Sequence, residues 1–223
     1  MEAPTILDFV IKWTHLPHYL VFTWFIMFII IVSSLIARLS LKLMPSGFQN
    51  VVESIVEMLY SFVEDILGKH TKKHFPLIAT LAIFIFFANI VELVPGFVPP
   101  TSNWNTTIAM ALVVFVYYQY LGIKTHGIKY IRHFMGPVWW LTPLMIPIEI
   151  IGHFARILSL SVRLFGNIMG DDLLLAIIFF LMPVLVPLPI MALVLLAATI
   201  QAFIFSLLST LYIADAISGG EIE

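Results

Sequence analysis

Cysteine is absent from this 223-residue chain, which excludes disulfides, thiolate nucleophiles and thiolate metal sites. Charge is nearly as scarce: 11% of residues are Asp, Glu, Lys or Arg, against roughly 25% in ordinary soluble domains. The net charge of −2 is too small to imply nucleic acid or an acidic substrate. The opening Met1-Glu-Ala-Pro has no basic region ahead of an apolar one, so no cleavable signal or transit peptide is expected. Internal repeats of useful strength are missing, which weighs against transporters built from inverted halves. No phosphate loop, nucleophile–base pair or metal-ligand motif is present, so neither enzyme chemistry nor a cofactor or metal is expected on this chain.

What is abundant is apolar sequence, at 61% of residues. Lys12 to Arg38 encloses 25 residues without a formal charge, and Lys73 to Glu92 encloses 18. Asn105 to Ile123 is uncharged as well, and Leu173 to Ala214 is an apolar tract broken by Pro183, Pro187 and Pro189. Crossing a hydrocarbon core of ~30 Å takes ~20 helical residues, so these are several membrane passages. The sequence predicts an all-α polytopic membrane protein, one integral domain over 1–223, with helices near 17–42, 48–68, 76–94, 105–124, 138–182 and 190–217. About five of these would cross the membrane, the last two being long. Phe48–Leu67 differs in kind. Val51, Val52, Ile55, Met58, Leu59, Phe62 and Ile66 recur at helical spacing, opposite Gln49, Glu53, Glu57 and Glu64. Such a helix is expected to lie along the membrane interface, the other reading being a hairpin packed on helices of the same protein.

The remaining charges orient the chain. Arg38, Lys42, Lys69, Lys72 and Lys73 lie between the first two spans, and Lys124, Lys129 and Arg132 follow the third. The intervening Pro95–Asn105 loop has neither Lys nor Arg. By the positive-inside rule the basic loops face the cytoplasm and Pro95–Asn105 faces outward. The N-terminus is then outside, with Lys12 dissenting, and the C-terminus is cytoplasmic.

Arg163 is the most informative residue. No other charge stands between Arg156 and Asp171, and an arginine does not release its proton in a protein. A permanent cation in a membrane domain is costly and rarely incidental. Glu149, Arg156 and Arg163 are seven residues apart, close to two helical turns, so they share one face at intervals of ~10.5 Å. Ser159 and Asn167, four residues to either side of Arg163, flank it on that face. Asp172 follows half a turn out of phase, beside Asp171. Acids beyond both ends of a fixed cation suggest two aqueous access routes that do not meet. Glu149 and Arg156 can also be read as an internal ion pair between helices.

Pro147-Ile-Glu149 followed by Ser159-Leu-Ser-Val-Arg163-Leu-Phe-Gly-Asn167 resembles the signature of subunit a of the F-type ATP synthase. Pro45-Ser-Gly-Phe-Gln49, Asn89-Ile-Val-Glu92-Leu-Val-Pro95, Thr106-Thr107-Ile and Gln201-Ala-Phe-Ile-Phe resemble other segments of that family in the same order. The resemblance covers about residues 40 to 217. It implies an ion-translocating stator subunit in a bacterial plasma membrane. Its partners would be an oligomeric ring of small hairpin rotor subunits, a peripheral-stalk subunit and the rest of the synthase, with membrane lipid around them. Arg163 would separate two offset half-channels that exchange H⁺ or Na⁺ with rotor carboxylates. Glu149 matches a position near the cytoplasmic half-channel. Asn89, Glu92, Asn167, Asp172 and Gln201 match positions of the outer one, with Gln201 also near Arg163. Several members carry a polar residue two turns before the glutamine, where this chain has Val194; Asp171 or Asp172 could face the channel.

Among the histidines, His153 lies four residues after Glu149 and is the one that could join the ion path, with Arg156 and Ser159 as further candidates. His70 and His74 read as residues of a solvated Lys-rich loop, His15 and His18 as residues of the outer interface, and Trp139 and Trp140 as an interfacial belt. The competing class is a self-contained secondary transporter or ion channel in which Arg163 binds an anionic substrate.

Overall fold

A computed structural model of the chain describes residues 17–39, 47–94, 97–127, 142–182 and 187–218, and all its regular elements are helical. Lys12, His15, Lys42, Lys129, Arg132, Trp139, Trp140 and the helix ends expected at 40–42 and 138–141 lie outside those residues. Five stretches are long and apolar enough to cross a membrane.

In chain order the long helices are α1 (His18–Leu39), α2 (Phe48–Leu67), α3 (Thr71–Ile90), α4 (Trp104–His126), α5 (Thr142–Leu181) and α6 (Pro187–Ser218). Two helix starts depart from expectation for identifiable reasons, and the third helix ends as α-helix at Ile90, with a 3₁₀ turn Val91–Leu93 in place of its expected last residues. The third helix begins at Thr71, five residues before the expected 76, so the Lys-rich segment is helix and not a solvated loop. Thr71, His74 and Ile78 are all buried there, and burial along one face outweighs the hydrogen bond that Pro76 removes. The sixth helix starts at Pro187, since a proline in the first turn forgoes an N–H that would have no helical partner.

α2 and α3 run almost continuously, joined by the single 3₁₀ turn Gly68–His70. Gly68 takes φ 54° there, in the half of backbone space that only glycine enters freely. The two readings of α2 divide along its length. Val51, Ile55 and Met58 are exposed, whereas Val63 and Leu67 are buried and Phe62 packs on Phe203 of α6 with ring centres 4.7 Å apart. Its first half is thus an uncovered apolar face and its last turns are docked on the bundle.

The bundle core joins Ile78 and Ile85 of α3, Met110, Val114 and Tyr118 of α4, Leu160 and Leu164 of α5, and Phe205 and Ile213 of α6. α6 packs on α3, α4 and α5, while α1 touches chiefly α3 and the short turn Pro100–Ser102. At 40 residues α5 is about 60 Å long, twice the ~30 Å of a hydrocarbon core, so it must tilt steeply or run well beyond it. Its Leu160, Ser161, Leu164 and Ile168 are buried, but Phe154, Leu158, Val162, Met169 and Leu173 form an exposed apolar stripe.

Candidate functional site

α5 is helical without interruption from Glu149 to Asp172, so the face inferred from seven-residue spacing exists. Arg163 is partly exposed, at the border between the buried face and the exposed stripe, with Ser159, Gly166 and Asn167 exposed around it. A Cβ added at Gly152, Gly166 or Gly170 would meet nothing within 4 Å, so this surface is open to close approach. Among the described residues no acid forms an ion pair with Arg163; the ion pairs of α5 are made by His153 and Arg156.

Beyond Arg163 toward the C-terminal end of α5 lies one polar cluster. Asn167 Nδ2 donates to Gln201 Oε1 of α6 at 2.7 Å. Gln201 therefore reaches Asn167, one turn from Arg163, and no hydrogen bond joins it to the arginine itself. Asn89, fully buried at the end of α3, accepts from Thr101 Oγ1 at 2.9 Å. Two residues before Arg163, and apart from that cluster, buried Ser161 pairs with Thr107 of α4, their hydroxyls 3.1 Å apart. Glu92, on the 3₁₀ turn that ends α3, is close enough to Asp171 and Asp172 to interact electrostatically with both. Both Glu92 oxygens, Asn89 Nδ2 and Gln201 Nε2 are buried without a hydrogen bond among the described residues. Polar groups left in that state are costly in an apolar setting. The cluster is therefore hard to explain as packing alone. Val194 is buried and apolar, so α6 adds no polar group there.

On the other side of Arg163 stands a second cluster. His153 is buried, with Nδ1 3.0 Å from the Tyr118 hydroxyl of α4 and Nε2 3.6 Å from Glu149 Oε1. Arg156 does not pair with Glu149 along α5. Its Nη1 donates to Asp215 Oδ2 of α6 at 2.9 Å, and its guanidinium lies over the Tyr212 ring at 5.2 Å. His74 is buried too, its Nδ1 2.9 Å from the Tyr117 hydroxyl. The expectation of a solvated His74 thus fails, because the extra turns of α3 carry it against α4.

The structure therefore assembles the anticipated residues into two groups, Asn89, Glu92, Asn167, Asp171, Asp172 and Gln201 in one, Glu149, His153 and Arg156 in the other. Arg163 and the exposed Ser159 lie between them along α5. Sequence reasoning missed Tyr118, Tyr212, Asp215 and the Thr101, Thr107 and Ser161 hydroxyls. Asp215 left one signal, being the only formally charged residue in 187–218. Thr107 and Ser161 stand inside segments that resemble the family, but a hydroxyl by itself marks no site, since Ser and Thr are common in membrane helices, bonding their own backbone or neighbouring helices.

Comparison with known proteins gives the family of the chain. The sequence model of the family described as ATP synthase A chain matches residues 20–214. The chain is 51% identical to the ATP synthase subunit a of Trichlorobacter lovleyi over 197 residues, 88% of this chain and 86% of that one. It is 50% identical to that of Geobacter sulfurreducens over 196 residues, 88% and 86% of the two chains. With the subunit a of Syntrophobacter fumaroxidans it shares 49% identity over 217 residues, 97% of this chain and 89% of the relative.

Proposed function

This chain belongs to the ATP synthase A chain family, and from that premise we propose that it is the ion-translocating stator subunit of a rotary synthase. It is a membrane-sector subunit and carries no bond chemistry of its own. Its partner is a ring of small hairpin subunits, each with one carboxylate, seated against the exposed stripe of α5. A peripheral-stalk subunit holds it against rotation. The observation that carries this reading is Arg163: a permanent cation on an open face, without an ion pair to any described acid, between two separate polar clusters.

The physics follows from the charge. A protonated or ion-loaded carboxylate is neutral and can turn through lipid, whereas an ionised one cannot leave a polar partner cheaply. Arg163 favours the ionised form of an arriving carboxylate and so discharges its ion into one access route. The same cation repels an ion that would hop directly from one route to the other. Glu149 serves the cytoplasmic route and Asn89, Glu92, Asn167, Asp172 and Gln201 the outer one. The ion is H⁺ or Na⁺. Each charge moved through 100 mV is worth ~2.3 kcal/mol, so several must pass for each ATP made.

The basic loops support a bacterial plasma membrane orientation with the N-terminus outside and the C-terminus cytoplasmic. Family membership leaves a self-contained transporter without support. Arg163→Ala should abolish ATP-driven pumping in inverted vesicles with the complex still assembled. Arg163→Lys should fail too, because a compact ammonium does not reproduce a planar guanidinium whose charge is fixed. Near-normal pumping by either variant would overturn the proposal.

A further inference from the structure

α5 carries two arginines on one face, Arg156 and Arg163, separated by seven residues or ~10.5 Å of helix. Among the described residues, Arg156 has a counter-ion and Arg163 has none. Arg156 donates to Asp215 at 2.9 Å, each side chain being about a third exposed (32% and 28%). Tyr212, one turn before Asp215 on α6, presents its ring face to the same guanidinium. A carboxylate and an aromatic face together hold the planar cation in one orientation. Asp215 is the only formal charge on α6, and it stands opposite Arg156, which is about as exposed as Arg163.

We propose that Asp215 is a positioning residue of the ion path, cancelling the charge of Arg156 so that the rotor carboxylate meets a single net cation, Arg163. The inference rests on the function proposed above. An uncancelled Arg156 would be a second attractor two turns along the stripe. It would hold the carboxylate ionised past Arg163 and weaken its hold on the incoming ion. Removing Arg156 instead would expose the Asp215 charge, which disfavours the ionised carboxylate and tightens ion binding.

The sign of each change is therefore fixed. For unit charges ~10.5 Å apart at an effective dielectric of ~20, the shift is about tenfold in ion affinity, one pH unit if the ion is H⁺. Among the described residues, other titratable groups that the packed helices bring to this end include Glu149 and His153 of α5, Tyr117, Tyr118, Tyr120, Lys124 and His126 of α4, Tyr212 of α6 and His74 of α3. None of them is altered in the variants below, so opposite shifts cannot come from a group they share.

The test uses the complete synthase in inverted membrane vesicles, with ATP-driven pumping profiled against the concentration of the transported ion. Assembly is followed by the amount of the chain retained and by ATP hydrolysis. Asp215→Asn should raise the half-maximal ion concentration about tenfold, and Arg156→Gln should lower it about tenfold. The double variant Arg156→Gln/Asp215→Asn should return it to within about twofold of the unmodified protein, because the net charge is restored. Two single variants that assemble and shift the profile in the same direction, or not at all, overturn the inference. So does a double variant worse than either single one. If the single variants do not assemble, the exchanged pair Arg156→Asp/Asp215→Arg decides: a half-maximal concentration within about twofold supports the inference, and a larger displacement or failure to assemble overturns it. Pumping that survives Arg163→Ala would refute the proposed function as a whole, whereas loss there without opposite shifts here refutes only the role of Asp215.

Discussion

His74 and His153 each end on a tyrosine hydroxyl, at 2.9 and 3.0 Å, yet they belong to different parts of the molecule. His153 has Glu149 beside its other ring nitrogen and lies on the face that leads to Arg163. His74 ties the start of α3 to α4 through Tyr117, and no acid of the described residues forms an ion pair with it. His74→Phe should then leave the Tyr117 hydroxyl without its partner and cost about 1–3 kcal/mol of stability, seen as a lower thermal midpoint in detergent. Pumping should stay within about twofold. Replacing both partners, His74→Phe/Tyr117→Phe, should recover most of the lost stability, since two apolar groups leave nothing unsatisfied. A pumping loss comparable to that of Arg163→Ala would instead put His74 in the ion path.

At the scale of the element, α5 sets the distances. Glu149 precedes Arg163 by 14 residues and Asp172 follows it by 9, which is ~21 Å and ~13.5 Å in opposite directions along an unbroken helix. Each end meets a different set of neighbours, Tyr118 of α4 at one and Glu92 of the turn after α3 at the other. Asp172→Leu should therefore slow pumping at least tenfold with the complex assembled, while Asp172→Glu keeps much of the rate because a carboxylate still reaches the cluster. Glu149→Gln should be milder, since His153 and Tyr118 remain. Initial pumping rates normalised to assembled complex measure both. Equal losses for Asp172→Leu and Asp172→Glu would remove the carboxylate from the argument and leave only side-chain shape.

For the whole molecule the question is which ends of the bundle share a compartment. Lys72 near the start of α3 and Asn105 near the start of α4 are both exposed, and α3 lies between them. In a chain without native cysteine, Lys72→Cys and Asn105→Cys should each react with a membrane-impermeant maleimide from one side only. Lys72→Cys should react from the cytoplasm and Asn105→Cys from outside. Labelling of both from the same side would overturn the topology and, with it, the assignment of the two polar clusters to opposite routes.

The sequence by itself determined the class, the number of helices long and apolar enough to cross a membrane, and the place of the isolated cation Arg163. These follow from quantities that add up along the chain: apolar length against bilayer thickness, the bias of Lys and Arg between loops, and a seven-residue spacing that a helix converts directly into a shared face. The tertiary structure decided pairing. Arg156 turned to Asp215, 59 residues away, and not to Glu149 on its own helix. Gln201 bonded to Asn167, 34 residues away on α5. His74 was buried by a helix that began five residues before the expected position. Such choices depend on which faces of separate helices meet, and in a membrane nearly every helix is apolar all round. Hydrophobic patterning then gives little rotational information, and small residues and isolated polar side chains set the contacts.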